Sequence, residues 1–306
     1  MARSLSRRAR QTVAGYLFLS PAILFYLVFL LFPVGLSVYI SFTNWNMLAP
    51  LERARWVGFS NYTYLLTRDD MFIASLKNTL VYALGTVFIG MAIALGVALL
   101  INNVRGSALW RFLIFAPVVT PAIAVGRIWG GIYHPSQGYL NQLLRAVGLP
   151  PQQWLSSAEL ALPSIMATAI WAGVGATVIV FIAGLRNIPA QYYEAARIDG
   201  ARPWHEFWHI TLPMLRPTVL FLSVTGLISA WQVFDLVYSM ALGGTEAGTT
   251  PARAVMVVAL YLYTTAFRNL RAGRATAGAM ILFFIIFGLT LILLRVLRRG
   301  GLEAYE

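Results

Sequence analysis

The chain alternates between long apolar runs and short polar segments. Six runs are rich in Leu, Ala, Val, Phe and Gly, and each is long enough, at about 20 residues or more, to cross the roughly 30 Å hydrocarbon core of a bilayer as a helix. Strands of a membrane barrel would instead show short alternating segments. The six runs lie at about residues 14–40, 78–101, 110–131, 161–185, 217–239 and 275–294. The pattern predicts an all-α integral membrane protein with about six transmembrane helices.

The composition agrees with a membrane protein of one domain. Of the 306 residues, 59% are hydrophobic and 11% are charged, and the mean hydropathy of +0.71 is too high for a soluble domain of this size. No long polar linker separates a second domain, so we expect residues 1–306 to form a single transmembrane domain. Pro21 and Pro33 predict a kink or break in the first helix.

The net charge of +12 is explained better by membrane topology than by nucleic acid, because the arginines lie at the ends of the apolar runs. With a cytoplasmic N-terminus, the inward segments hold 13 of the 23 basic residues in 66 positions, against nine in 101 outward positions. This asymmetry has the sign of the positive-inside rule. We therefore expect both termini to be cytoplasmic, and we expect no nucleic-acid partner.

A polar island from Glu194 to Pro213 separates two apolar runs. Pro189 fits the first turn of a helix and Gly200 fits the position just past a helix end, which predicts a helix over about 190–199. Pro203 opens a second short helix, which we expect Pro213 to stop. Two rigid helices outside the membrane suit insertion into a groove of a partner protein. A solvated loop that only carries positive-inside charge is the alternative.

The same island contains His205-Glu206-Phe207-Trp208-His209, an H-E-x-x-H pattern that holds Zn²⁺ in membrane metalloproteases. A third protein ligand is missing, because the remaining histidine, His134, is predicted on the opposite side of the membrane. We therefore expect no metal, and a metalloprotease is an alternative of lower rank.

Other enzyme chemistry finds little support in the residues. The chain has no Cys, which excludes thiolate metal sites and cysteine nucleophiles. Its one lysine, Lys77, does not follow a glycine-rich loop, so no P-loop binds ATP. If transport uses ATP, another subunit must supply the ATPase, and this chain is expected to be no enzyme.

The island resembles the EAA-x3-G-x9-I-x-LP signature of bacterial ABC importer permeases at every defined position, from Glu194-Ala195-Ala196 through Gly200 to Ile210-Thr211-Leu212-Pro213. The segments FIAGLRNIPAQYYEAARIDGA, WQVFDLVYSMALGG and YTTAFRNL are similar to the sugar-type permeases related to the maltose and glycerol-3-phosphate importers. One departure is Thr245, where that family commonly has proline after Gly-Gly, so the external loop is expected to differ in shape.

The resemblance implies a cytoplasmic coupling element, residues 186–216, that docks into a groove of a separate ATPase. The residues implied in this coupling are Glu194, Ala195, Ala196, Arg197, Asp199, Gly200 and Arg202. It also implies a second permease subunit in a heterodimer, two cytoplasmic ATP-binding subunits that hold ATP and Mg²⁺, and an extracytoplasmic solute-binding protein. The location is the bacterial cytoplasmic (inner) membrane, the cargo is a sugar, oligosaccharide, polyol or sugar-phosphate, and this chain holds no cofactor.

Polar groups inside a span are costly and mark candidate substrate contacts. Arg127, Gln232 and Asp235 are such groups, and Trp171 and Trp231 offer aromatic faces to a sugar ring. By similarity to the maltose permease, the helices before and after the signature hold the sugar. The full candidate set is Arg127, Trp171, Gly173, Thr177, Trp231, Gln232, Phe234 and Asp235. Interfacial anchoring of the tryptophans, and an ion pair between Arg127 and Asp235, are the alternatives.

A self-sufficient secondary transporter is the main rival function. It would need intramembrane carboxylates for ion coupling and usually shows an internal repeat. Asp235 is the one candidate carboxylate, and no clear repeat is present.

Overall fold

The computed structural model describes residues 7–102, 104, 107–241 and 251–299, and Thr245 with its loop lies outside these ranges. Within them the chain is helical and forms no β-strand; Thr43 and Trp56 make an isolated antiparallel bridge. The expected all-α fold is confirmed. The chain divides into two compact units, one of residues 1–68 and 262–281 and the other of residues 69–261 and 282–306.

The helices are numbered in chain order. They are α1 (Arg7–Tyr26), α2 (Phe32–Ser41), α3 (Ser60–Thr67), α4 (Asp70–Leu84), α5 (Gly90–Asn102), α6 (Ser107–Phe115), α7 (Ala122–Ile132), α8 (Tyr139–Ala146), α9 (Ala161–Arg186), α10 (Ala190–Ile198), α11 (Pro203–Glu206), α12 (Leu212–Met214), α13 (Arg216–Trp231), α14 (Asp235–Ala241), α15 (Ala252–Val255), α16 (Val258–Tyr263) and α17 (Ala272–Arg299). π-helical turns lie at Leu27–Leu31, Gly85–Ile89, Phe207–Thr211 and Thr264–Arg268, and 3-10 turns at Leu51–Arg53 and Ala116–Val119.

Helices long and apolar enough to cross a membrane number four within the described residues, or up to six if each of two bent pairs is one span. The four are Ala14–Ser41, Asp70–Asn102, Ala161–Arg186 and Ala272–Arg295, and the bent pairs are Ala108–Val119 with Ala122–Ile132 and Pro203–Met214 with Arg216–Trp231. The predicted number of spans therefore agrees with the structure, although two of the six are not single straight helices.

Two of the predicted continuous spans are broken. The run at 110–131 bends by 97° because Pro121, which cannot continue a helix from the preceding turn, caps α7. The run at 217–239 stops at Trp231, and a new helix begins at Asp235, where an acidic side chain suits a helix N-terminus. Hydropathy does not register either break, because the residues on both sides remain apolar.

The first span shows how a proline is accommodated. Pro33 has no N–H to bond the carbonyl four residues earlier. The N–H of Phe32 bonds the carbonyl of Leu27, five residues back, and closes the π-helical turn that joins α1 to α2. By contrast, α1 continues through Pro21. The predicted break in the first helix is therefore a π turn just before Pro33.

The smaller unit is held together by polar contacts between its connecting segments. Asn61, which is buried, donates its side-chain amide to the carbonyls of Ser41, at 2.9 Å, and Thr43, at 2.7 Å. The backbone N–H of Gly273 donates to Trp45 at 3.1 Å, and a Cβ at Gly273 would collide with the Thr43 carbonyl. Glycine is thus required where the start of α17 lies against the segment after α2.

In the larger unit, glycines let helices approach closely. A Cβ at Gly175 in α9 would collide with the backbone carbonyl of Ile114 in α6. A Cβ at Gly126 in α7 would likewise collide with the side chain of Ser239 in α14. Because membrane helices associate through close packing of small residues, these contacts fix the positions of α6 on α9 and of α14 on α7.

Candidate functional site

The first half of the coupling element is a short helix with a glycine-dependent end. Pro189 caps α10, which ends at Ile198, close to the predicted bounds. Gly200 has a φ of +81°, a left-handed conformation that a side chain disfavours. Its N–H donates to Arg197 at 3.1 Å, and the N–H of Ala201 donates to Ala196 at 2.9 Å. These two bonds form a Schellman motif, so backbone geometry favours glycine at this position.

The second half continues further than predicted. Pro203 opens α11 as expected, but the helical path runs through the π turn at Phe207–Thr211 and includes Pro213 within α12. The N–H of Leu212 bonds the carbonyl of Phe207, five residues back, as happens before Pro33. The helix ends at Met214, one residue beyond the expected stop at Pro213, because the π turn accommodates the missing N–H. The chain then bends by 60° into α13.

Two side-chain contacts hold the halves of the coupling element together. Arg197 Nε donates to Glu206 Oε1 at 2.8 Å, and its Nη2 donates to Oε2 at 3.4 Å. Glu206 is only 8% exposed. The hydroxyls of Tyr193 and Thr211 form a second link at 3.0 Å. The bond to the Glu206 carboxylate raises the pKa of Arg197, since the carboxylate stabilises the charged guanidinium.

The ion pair also changes the meaning of the H-E-x-x-H pattern. Its glutamate is bonded to Arg197, and the Nδ1 atom of His209 lies 3.1 Å from the backbone carbonyl of His205. The described residues contain no group of three or more His, Asp or Glu side chains arranged to hold a metal ion. In this geometry the glutamate of the pattern, Glu206, links the two helices of the coupling element through its bond to Arg197.

The outer tip of the coupling element is apolar and exposed. Ile198 is 87% exposed and Trp204 is 67% exposed, on either side of the turn at Gly200. Glu194 and Ala195 are also exposed. Sequence reasoning selected the charged and small residues and missed both apolar ones. The available signal was an isoleucine two residues before the glycine that follows the helix, in an otherwise polar segment where burial within the chain does not explain an apolar side chain.

A cavity lies beneath the coupling element, with a volume of about 730 Å³. Leu99 and Asn102 of α5, Leu185 of α9, and Tyr193 and Glu206 of the coupling element contribute to its lining. The residues that join the two halves of the element, Tyr193, Arg197, Glu206 and Thr211, are all part of this lining.

A second cavity, the pathway cavity, has a volume of about 440 Å³ and lies between α4, α5, α9 and α13. Two of the candidate substrate residues, Gly173 and Thr177, line it. Its polar lining consists of hydroxyl side chains, and among the described residues that line it none is charged. The hydroxyl residues are Tyr82, Thr86, Thr177, Thr225 and Ser229.

The other candidate substrate residues lie elsewhere. Trp171 contacts Trp129 edge-on at 5.3 Å between ring centroids, and Trp129 in turn contacts Tyr133. Trp231 is only 5% exposed and lines a narrow cleft with Ile286 of α17. The cavity therefore brings together two of the eight candidates and excludes both tryptophans.

The polar candidates after α13 lie at the break between helices. Gln232 caps α13 and is exposed, as is Asp235, and the Phe234 ring stacks on Tyr238 at 5.3 Å. Arg127 is exposed on α7. In the described part of the chain a salt bridge joins Arg197 to Glu206, and no ion pair joins Arg127 to Asp235.

Known proteins resemble this chain in sequence and in overall fold. The family described as the binding-protein-dependent transport system inner membrane component matches residues 87–300. The chain is 35% identical to the probable ABC transporter permease protein YesP of Bacillus subtilis, over 96% of this chain and 93% of that protein. It is 34% identical to the lactose transport system permease protein LacF of Rhizobium radiobacter, over 84% of each. A chain of a bacterial ABC transporter involved in the import of the acidic polysaccharide alginate superposes with a TM-score of 0.81, at 25% identity over 95% of this chain and 96% of that one. The chain therefore belongs to the inner membrane components of binding-protein-dependent transport systems and is a multi-pass permease subunit of an ABC importer.

Proposed function

We propose that this permease carries a sugar, oligosaccharide or related polyol across the bacterial inner membrane by alternating access driven by separate ATP-binding subunits. The observation that carries the proposal is the coupling element, whose two short helices are braced to each other and expose an apolar tip. A rigid helix pair with an exposed tip suits a groove in a partner and can pass the partner's movement to the membrane helices. The lactose and alginate systems named above support a saccharide as cargo.

The proposed assembly contains a second permease, two ATP-binding subunits and a solute-binding protein. The family description supports the binding protein. ATP and Mg²⁺ would be held by the ATP-binding subunits, and this chain would carry out no chemistry itself. Docking of the coupling element from the cytoplasm, together with the distribution of arginines, favours cytoplasmic termini.

We assign the docking contact to the outer surface of the coupling element. Glu194, Ala195 and Ala196 lie on α10, and Asp199 and Arg202 flank the turn at Gly200. Arg197 is assigned a different role, since its guanidinium is already bonded to Glu206. Ile198 joins the docking set because a side chain so exposed gains most from burial against a partner.

The proposed substrate pathway passes through the pathway cavity, with Gly173 and Thr177 as contacts from this chain. Trp171 with Trp129 forms an aromatic pair that we place along the same route, where it can stack on a sugar ring. Gln232, Phe234 and Asp235 stay proposed contacts at the break between α13 and α14. For Arg127 we propose a contact with solute or partner, since no ion pair with Asp235 forms.

The docking assignment is tested with two substitutions in the complete importer. Ile198→Asp places a charge at the centre of the proposed contact, so we expect loss of the ATP-binding subunits on affinity purification. Glu194→Gln keeps the shape, so we expect the complex to assemble but to hydrolyse ATP without solute uptake. Val147→Asp, at another exposed apolar position, is the matched control. Normal assembly in the first variant together with normal uptake in the second would refute the assignment.

A further inference from the structure

The three helical segments around the pathway cavity carry no charged side chain along their apolar length. Residues 78–102, 161–185 and 217–231 contain no Asp, Glu, Lys, Arg or His. A charged solute that leaves water for such a site needs a counter-charge, because burying an unpaired charge is strongly unfavourable. This chain offers none along these segments.

What the cavity does offer is hydroxyl oxygen. Thr86 donates its hydroxyl to the carbonyl of Tyr82 at 2.7 Å, and Thr225 donates to Phe221 at 2.8 Å. A hydroxyl that donates to its own helix keeps its lone pairs, so it can accept a hydrogen bond from a solute O–H. The cavity therefore presents neutral acceptors suited to a polyhydroxyl compound.

The glycines of the lining leave space for a solute and add no polar side chain. Glycines at three positions, Gly90, Gly173 and Gly226, lie on three different segments of the wall. A Cβ at Gly173 would meet no atom within 4 Å, so this glycine borders open space. The volume of about 440 Å³ lies within the range of roughly 300–1,000 Å³ that is usual for small-molecule sites.

We infer that the pathway cavity, whose lining does not include Arg127 or Asp235, selects uncharged polyhydroxyl solutes, that is, neutral saccharides or polyols, and disfavours sugar acids, sugar-phosphates and other ions. The inference rests on the proposed function, and it narrows the cargo to one class of charge. Selection arises because hydrogen bonds to hydroxyl groups replace water around a neutral solute but do not compensate a desolvated charge.

The absence of cysteine from the chain gives a direct test. In the complete importer, Thr177→Cys and Ser229→Cys each place one thiol on the cavity wall. Each variant is treated with three methanethiosulfonates: the neutral methyl reagent, the cationic aminoethyl reagent and the anionic sulfonatoethyl reagent. Modification of this chain is followed by mass spectrometry, and every rate is divided by the rate with a free thiol in solution.

We expect both charged reagents to react at least about tenfold more slowly than the neutral one at both cavity positions. Tyr139→Cys, at an exposed position on α8, is the control and should react with all three reagents at similar normalised rates. Rapid reaction with either charged reagent at a cavity position, or no reaction with any reagent, would overturn the inference. If one cavity variant does not assemble, Thr225→Cys takes its place on the same wall.

Failure of the proposed function gives a different result. An importer without coupling would fail to retain or use its ATP-binding subunits whatever the cavity's charge selectivity. If the charged reagents react rapidly in the cavity of a chain that still binds its ATPase and imports sugar, only the inference about charge is overturned.

Discussion

The coupling element and the pathway cavity lie in the same compact unit but are specified in opposite ways. The coupling element depends on directional contacts: a left-handed glycine, a Schellman motif and an ion pair. The character of the cavity depends on what its walls lack. Its lining has no charged residue, and at its glycines it has no side chain. The difference teaches that the proposed docking part is recognisable as a motif, whereas the proposed pathway is recognisable by composition along several distant segments.

The largest expected effect is on stability, and it compares two glycines that lie on different faces of α9. Gly175→Ala drives a Cβ against the backbone carbonyl of Ile114, so we expect a loss of about 1–3 kcal/mol in stability. Gly173→Ala, two residues away and bordering open space, should change stability little and only narrow the cavity. The denaturation midpoints of the two purified variants test this, and equal midpoints would contradict the assigned faces.

The next effect compares two glycines that share a left-handed backbone, of which only one lies in the coupling element. Gly200 and Gly148 have φ values of +81° and +79°, and a Cβ at either would meet no atom within 4 Å. Alanine at either position should therefore cost about 1–2 kcal/mol of local strain. Only Gly200→Ala should also lower the solute imported per ATP hydrolysed, because it alters the turn between the two coupling helices. Equal import per ATP in both variants would show that the turn's geometry does not matter for coupling.

A smaller effect is expected from the ion pair between Arg197 and Glu206. Glu206→Arg or Arg197→Glu alone places two like charges together, and we expect uncoupled ATP hydrolysis to increase by a few-fold. The double variant restores an attractive pair and should recover much of the coupling, which a general loss of folding would not allow. Glu159→Gln, at an exposed glutamate elsewhere, is the control. The measurement is ATP hydrolysis with and without solute uptake in proteoliposomes.

The smallest effect concerns pH. Because the folded-state pKa of Arg197 is raised, its contribution is fully present below the ordinary arginine pKa and is lost only as pH rises through the raised value. The difference in coupling between the wild type and Glu206→Gln should therefore stay constant from about pH 7 to about pH 9. A difference that disappears at the alkaline end would show that a group other than Arg197 controls the contact.

Local rules predicted the parts of the fold that depend on neighbouring residues. The roles of Pro189, Pro203 and Gly200 followed from their own backbone preferences. The role of Glu206 did not, because its contact with Arg197 crosses a turn, and the H-E-x-x-H pattern drew attention to zinc instead. Apolar runs gave the number of spans, but hydropathy has no signal for a helix that ends at Trp231 and is followed, after three residues, by a new helix at Asp235.

The candidate pathway was the least predictable part. Trp171 and Trp231 were chosen for their chemistry, yet which face of a membrane helix a side chain occupies depends on packing that the sequence does not state. Every side of these segments is apolar, so periodicity does not separate cavity from lipid. Gly173 and Thr177 were selected by similarity to the maltose permease, and both line the cavity.

The π-helical turn at Phe207–Thr211 has a consequence for the spacing of the coupling signature. One residue of an α-helix corresponds to a rotation of about 100°, and a π turn adds one residue to a helix without adding a full turn. The nine residues between Gly200 and Ile210 therefore determine the direction in which α12 and α13 leave the element, as well as the distance. Removing one residue there would turn every later side chain on that helical path by about a quarter of a circle, although the later residues themselves would be unchanged.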